Sequence, residues 1–462
     1  MMGPVERAFS APGKALIAGG YLVLYPEYDS YVTALSSRMH ALLRGQETEK
    51  HIRKITIESS QFAEGVWSYD LDPDIPFGNI KEAQGRRNPF LEATLMCVLA
   101  FVDADSRPGF DITIRIFSDP GYHTRDDTTA RVSSNGKRQF LYHKKKINEV
   151  AKTGLGSSAG LVSVVTAALL SYFTGDRDVE TLRNTVHNCT QIAHCHAQKK
   201  IGSGFDVAAA VYGSIVYRRF QPCLIDEILK HEFHSMQGNP ALALDYKGAL
   251  QLLVGSDWHF KIEKCALPPG IRLVMGDVQV GSETPKLVSL VLRWKQANPV
   301  EGEKLFEILN KANGSLISAL SLLHELQREN PAAYSSMLKD YQVAIENGAE
   351  KAEVEPLRRI SAAIATMREH LRALTAATGA DIEPLSQTAL LDRCSRLPGV
   401  LGGIVPGAGG FDAICLLVLN DAIPTMLQTT ENDQFFSNVK WLPLHEESDG
   451  LLETSPEDYA GL

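Results

Sequence analysis

The run Lys152-Thr-Gly-Leu-Gly-Ser-Ser-Ala-Gly160 gathers the residue types that can hold a phosphate group. Gly154 and Gly156, on either side of Leu155, let the backbone approach an anion closely with its N–H groups turned toward it. Ser157 and Ser158 place hydroxyls at the following helix start, where they can bond a phosphate or hold Mg2+. From Ala159 and Gly160 to Phe173 the chain is almost wholly apolar, which predicts a buried helix whose positive dipole end faces the loop. Taken alone, such a helix start can equally be a tight turn with no ligand. The familiar nucleotide loops do not fit. No lysine follows the second glycine, as a Walker loop requires, and Gly154, Gly156 and Gly160 miss the dinucleotide spacing by one residue.

Two other segments carry matching chemistry. Lys14 follows the Pro12-Gly13 turn and precedes the apolar run Ala15-Leu-Ile-Ala18, so its ammonium is placed to reach a site rather than bulk water. Gly19 and Gly20 then allow another backbone to pass close. Asp206 lies between Gly202-Ser-Gly204 and a run of small apolar residues, where burial is expected. A buried lone carboxylate needs a cation, and Lys14 is the natural partner; an ordinary helix-capping aspartate is the alternative. Four glycines within Gly403–Gly410 mark a loop of unusual backbone shape, either a ligand contact or a structural support.

Between these, Leu182 to Lys200 reads as a helix with two stripes. Leu182, Val186, Cys189, Ala193 and His196 form one, and His187, Gln191, His194 and Gln198 form a polar neighbour. The histidines and cysteines invite a zinc reading. His194 and His196, however, point about 200° apart on a helix, so they cannot share a metal there. A polar stripe bonding across to the site, or meeting solvent, fits better.

In this order, the Lys14, Gly154–Gly160 and Gly403–Ile414 segments resemble the signature motifs of the GHMP kinases. The runs RAFSAPGKALIAGGYLVLYPEYDSYVTALSSRMHA, AKTGLGSSAGLVSVVTAAL, AHCHAQKKIGSGFDVAAAVYGS and LPPGIRLVMGDVQVGSETPKLV are similar to the fungal members that act on phosphomevalonate. Ala151, where the family commonly has proline, is one departure. The resemblance implies an α+β architecture of two domains, an N-domain like domain 2 of ribosomal protein S5 and a ferredoxin-like C-domain, with the site between them. It implies ATP and Mg2+ as cofactors, Gly154 to Gly160 on the nucleotide, Ser158 on the metal, and Asp206 with Lys14 at the reacting centre. Lys152 matches a lysine of the phosphomevalonate-specific members. Several relatives add a metal-binding glutamate where this chain has Cys195. In the loop Gly281–Val288, Ser282 and Thr284 could bind the acceptor phosphate, and Lys286 either nears the site or is an exposed helix lysine. The implied reaction is ATP-dependent phosphorylation of phosphomevalonate to diphosphomevalonate in isoprenoid synthesis. The alternatives are a kinase for an unphosphorylated alcohol such as mevalonate, and a catalytically silent ATP-binding regulator.

The rest of the chain sets the frame. At 462 residues it is too long for one ordinary core. The expected division is an N-terminal domain over 1–220, a bridging segment over 221–269, a C-terminal domain over 270–443 and a frayed acidic tail over 444–462. The net charge of −9 argues against nucleic acid or a membrane surface as the main partner. An anionic substrate must then be drawn by local cations. Seven dispersed cysteines without a CxxC suit reduced thiols, and the absence of a signal-peptide core makes a cytoplasmic monomer or homodimer the expectation. No apolar run is expected to span a bilayer. Asn88-Pro89 predicts a helix start, and the polar stretch 119–146 predicts a surface excursion or hairpin.

Overall fold

The computed structural model describes residues 4–49, 51–72, 75, 80, 82–175, 178–236, 239–278, 284–346 and 354–462. Its larger sheet is built on two long antiparallel strands, β1 (Val5–Ala18) and β2 (Ser30–Thr48), extended by β3 (Arg53–Glu58), β4 (Val66–Asp70) and β5 (Gly109–Ser118) in the order β1-β2-β5-β3-β4. Only β3 and β5 run parallel among these pairs. The polar stretch 119–146 forms a separate hairpin of β6 (Thr128–Val132) and β7 (Gln139–His143), as its composition suggests. Asn88 caps α1 (Pro89–Phe101) through its side chain, with Pro89 in the first turn.

The apolar run after the phosphate loop is α2 (Ser157–Thr174), which lies on β1 and β2 between α1 and α3 (Val179–Gln198). Against expectation, α2 is long and apolar enough to cross a bilayer by length and composition. Its residues are spent elsewhere: Val162, Val164, Val165, Leu169 and Leu170 are fully buried in the protein's own core. Then come α4 (Phe205–Tyr212) and β8 (Ile215–Arg218), which pairs with β2.

Residues 221–269 do not form a free bridge. They carry α5 (Asp226–Leu229), α6 (Phe233–Met236) and α7 (Pro240–Gly255), and α7 packs on α1 and α3; β9 (Lys261–Lys264) then adds to β8. Ala243, Tyr246, Leu250 and Val254 make the inner face of α7 apolar, so burial draws the segment onto the N-terminal body.

The second sheet has the order β11-β12-β10-β13, formed by β10 (Ile271–Asp277), β11 (Val400–Ile404), β12 (Ala413–Leu419) and β13 (Lys440–Trp441), all antiparallel. The chain between β10 and β11 supplies α8 (Thr284–Ala297), α9 (Pro299–Glu329), α10 (Pro331–Glu346), α11 (Leu357–Thr378) and α12 (Leu385–Cys394), and α13 (Ile423–Glu431) follows β12. α11 packs on α9 and β11.

One ion pair inside this half is buried. Arg368 of α11 donates to Glu383 Oε1 at 2.8 Å, and the two side chains are 10% and 1% exposed. Arg372 and Thr388 also donate to Glu383. Removing Arg368 leaves Glu383 with the part-exposed Arg372 alone, and loss of a buried partner costs about 3–5 kcal/mol. Arg368→Met is expected to lower stability by about that amount in a denaturant titration; a loss below about 1 kcal/mol would show that water reaches Glu383 readily.

The acidic tail is the largest departure from expectation. β14 (Glu446–Glu447) pairs with β2 and β15 (Leu452–Thr454) pairs with β1, so residues 444–462 complete the first sheet instead of fraying. Their acidity is answered by cations: Glu447 meets Arg38 at 2.5 Å, Glu453 meets Arg7 at 2.7 Å, and Asp458 meets Lys137 at 2.9 Å. Tyr459, 1% exposed, stacks on Phe117 and Phe140. Its hydroxyl contacts His40 Nδ1 at 2.9 Å, and His40 Nε2 contacts Asp119 Oδ1 at 3.1 Å.

Candidate active site

A cleft of about 800 Å3 opens between the two sheets. Its floor is the phosphate loop. Gly154 and Gly156 hold φ of +77° and +85°, the left-handed region that glycine enters without a Cβ clash. Gly156 caps α2, so Ser157 and Ser158 occupy the helix's first turn and line the cleft, together with Lys152, Gly154, Leu155 and Gly156. Ala159 and Gly160 do not line it. Gly160 donates its N–H to Gly156 O inside the helix and packs its Cα against Met39, so it serves close approach rather than ligand contact.

Lys14 reaches the same cleft because β1 is irregular there. The pairing with β2 shifts register between Pro12 and Gly13, and such a bulge re-aims the side chains beside it. The Lys14 N–H donates to Leu155 O at 3.1 Å, and its ammonium donates to Gly154 O at 2.9 Å. The expected direct pair with Asp206 is not formed. Asp206 is half-buried rather than buried, and its Oδ1 accepts from the Val207 N–H at 3.0 Å. The two charges still feel each other. Burial lowers the Lys14 pKa from its ordinary value, and Asp206 opposes that shift.

Lys152 stands at the cleft rim, exposed as a residue, while the surrounding loop desolvates its ammonium and lowers its pKa. Neighbouring His123 is pushed down to about 3, first by burial and then by His143 and Lys152. It is therefore neutral at pH 7 and adds no competing charge.

The polar stripe of α3 does reach the site. His194 Nε2 lies 3.0 Å from Ser158 Oγ and 3.2 Å from the Gln198 amide nitrogen. Gln191 donates to Gly204 O at 2.8 Å and so fixes the turn before Asp206. Burial lowers the His194 pKa, so the ring is neutral. Cys195 lines the cleft with its thiol raised to about 11 by burial. Among the described residues no group of three His, Cys, Asp or Glu could hold a metal.

The wall opposite comes from the second half. Pro285, Val288, Ser289, Leu292, Arg293 and Gln296 of α8 face the cleft at helical spacing. Lys286 is exposed and lies off the face of α8 that lines the cleft. Arg293, with Lys200 at the end of α3, takes its place as a cleft cation; neither was singled out from the sequence, since only the tertiary packing of α8 and α3 distinguishes them from solvated charges. Ser282 lies outside the described residues, and for Thr284 only the backbone of the α8 start is described.

The third glycine run forms part of the cleft wall and also has a structural role. Val405 to Gly409 line the cleft, while Gly409 has φ +85° and a Cβ there would lie 2.1 Å from Ile382 O. Gly20 and Gly407 pass closely, and Tyr21 Oη donates to Ala408 O at 2.6 Å, tying the two walls together.

Comparison with known proteins places this geometry. Residues 131–214 match the family model described as GHMP kinases N terminal domain. Phosphomevalonate kinase of Candida albicans is 49% identical over 459 residues, covering 99% of this chain and 100% of that protein. The chain belongs to the phosphomevalonate kinase family. A second member of the family, from Gibberella zeae, is 34% identical over 98% of both chains. The solved structure of Streptococcus pneumoniae phosphomevalonate kinase in complex with phosphomevalonate and AMPPNP shares the fold, with a TM-score of 0.58 and 17% identity over 96% of this chain and 100% of that one. In this kinase the two-domain α+β GHMP fold is thus present.

Proposed function

We propose that this kinase transfers the γ-phosphoryl group of ATP to the phosphate of phosphomevalonate, giving diphosphomevalonate and ADP. The observation that carries the reading is the charge of the cleft. Four cations, Lys14, Lys152, Lys200 and Arg293, line it against two carboxylates, Asp206 and Asp412, in a chain whose net charge is −9. Bringing two phosphates together calls for such a local excess.

An oxygen of the acceptor phosphate attacks Pγ, a new P–O bond forms, and the bond from Pγ to the ADP oxygen breaks. The acceptor's second pKa is about 6, so at pH 7 the attacking oxygen is already ionised and no base need remove a proton. The residues' task is then positioning and charge stabilisation. Backbone N–H groups at the start of α2 receive the nucleotide phosphates. Lys14, held against Gly154 O, and Lys152 face the charge that develops between donor and acceptor. Asp206 orients Lys14 through its field.

The residues also suit Mg2+, which keeps several waters and takes few protein oxygens beside the nucleotide phosphates. Ser158 Oγ would hold it, and bound there it would neutralise phosphate charge. The test is ADP release with Mg-ATP in three parallel arms: phosphomevalonate, mevalonate and no acceptor. Turnover with phosphomevalonate alone is the expected result. Turnover with mevalonate instead would give Asp206 the role of base, since an alcohol must lose its proton, and ATP binding without turnover in any arm would favour a regulatory relative.

A further inference from the structure

Ser158 has one hydroxyl proton, and where that proton points decides what the oxygen can do. Two groups approach His194 Nε2: Ser158 Oγ at 3.0 Å and the Gln198 amide nitrogen at 3.2 Å. An amide nitrogen only donates, so Nε2 must be the bare, accepting nitrogen of the ring. Ser158 Oγ–H then donates to it as well. His194 is 5% exposed and its ring packs 5.6 Å from that of Phe90, so its orientation is held by packing. Ser158 in turn sits in the first turn of α2 on the cleft wall.

We infer that His194 is a positioning residue: by taking the Ser158 hydroxyl proton at Nε2, it turns the oxygen lone pairs of Ser158 into the cleft, where they hold the Mg2+ of the nucleotide. Without that acceptor the hydroxyl would be free to donate to a nucleotide phosphate, a role that competes with metal ligation. The arrangement matters more here because no three-member ligand cluster exists among the described residues. The adjoining Cys195 offers a protonated thiol, a poor ligand for a hard cation.

This inference rests on nucleotide binding at the phosphate loop, and its test separates the two. ATP binding is measured by titration calorimetry with and without Mg2+, in the full-length wild type and in variants. Loss of such an orienting partner weakens metal affinity about 10- to 100-fold. His194→Leu is therefore expected to cut the Mg2+-dependent gain in ATP affinity about tenfold without weakening binding of ATP alone. His194→Gln, whose amide oxygen reaches about as far as Nε2, should retain most of the gain. His194→Asn, too short to reach Ser158 but still polar, should behave as leucine does if the leucine variant fails to fold. In a Ser158→Ala background the His194 substitutions should change nothing further. An unchanged Mg2+ gain in the leucine and asparagine variants would overturn the inference, as would equal weakening with and without metal. Failure of the wild type to bind ATP at all would instead remove the nucleotide reading beneath it.

Discussion

Lys152→Ala is expected to lower the phosphomevalonate rate about 10²-fold, while Asp206→Asn stays within about tenfold of wild type. The two magnitudes come from different chemistry. Loss of a charge-stabilising group aimed at a developing anion costs about 10²- to 10³-fold in kcat. A general base is worth about 10²- to 10⁴-fold, but only where a proton must leave, and the acceptor phosphate has already lost its own. Asp206 also lies half-buried without the direct Lys14 pair that a proton-abstracting dyad would use. Lys152, by contrast, stands at the cleft rim, and no hydrogen bond or ion pair among the described residues holds its ammonium elsewhere. Steady-state kinetics on both variants, with thermal melts to exclude unfolding, decide the matter. A 10³-fold loss in Asp206→Asn beside a mild Lys152→Ala would reverse the assignment.

The second large effect concerns the loop backbone. Gly156→Ala is expected to reduce kcat about tenfold and weaken ATP binding, whereas Gly154→Ala should do far less. Both glycines have positive φ, so either alanine carries about 1–2 kcal/mol of backbone strain. Only at Gly156 does the new Cβ meet something: Lys14 Cε at 3.2 Å and Asp206 Cβ at 3.9 Å. At Gly154 nothing lies within 4 Å. Strain is common to the two variants, and displacement of Lys14 belongs to one. A 3.2 Å contact asks Lys14 to give by a few tenths of an ångström, a fraction of the shift of about 1 Å that can cost 10²-fold. Equal losses in the two variants would show that backbone strain, and not the position of Lys14, sets the rate.

How much of this could be read from the chain depends on the range of the signal. The phosphate loop was legible because its information is local: two glycines, two hydroxyls and an apolar helix within twenty residues. Lys14 and Asp206 were legible for the same reason, each set by its own turn and flanking run. Their geometry was not, because the Lys14 ammonium chooses Gly154 O only once β1 and the loop are packed together. Arg293 and Lys286 show the limit plainly. Both are cations on one amphipathic helix, and only the docking of α8 says which of them faces the cleft. The segment 444–462 was misjudged because its partners lie far away in sequence, where no local pattern reports a β pairing. Acidity was read as solvation, although Arg7, Arg38 and Lys137 were waiting elsewhere in the chain.

Arg7 and Glu453 are 446 positions apart yet share two hydrogen bonds across neighbouring strands. A ribosome delivers the chain in order, so β1 emerges long before its outer partner, β15. Throughout elongation that edge of β1 offers unpaired N–H and C=O groups, the kind of edge that recruits other strands. Local α-helical contacts can form at once, but this pairing carries one of the longest loop closures the chain permits and must wait. β15 thus acts as a latch fitted late, after the rest of its sheet has been made. Nascent chains stalled before residue 446 would be a population that chaperones must shield, however well the catalytic loop itself has folded.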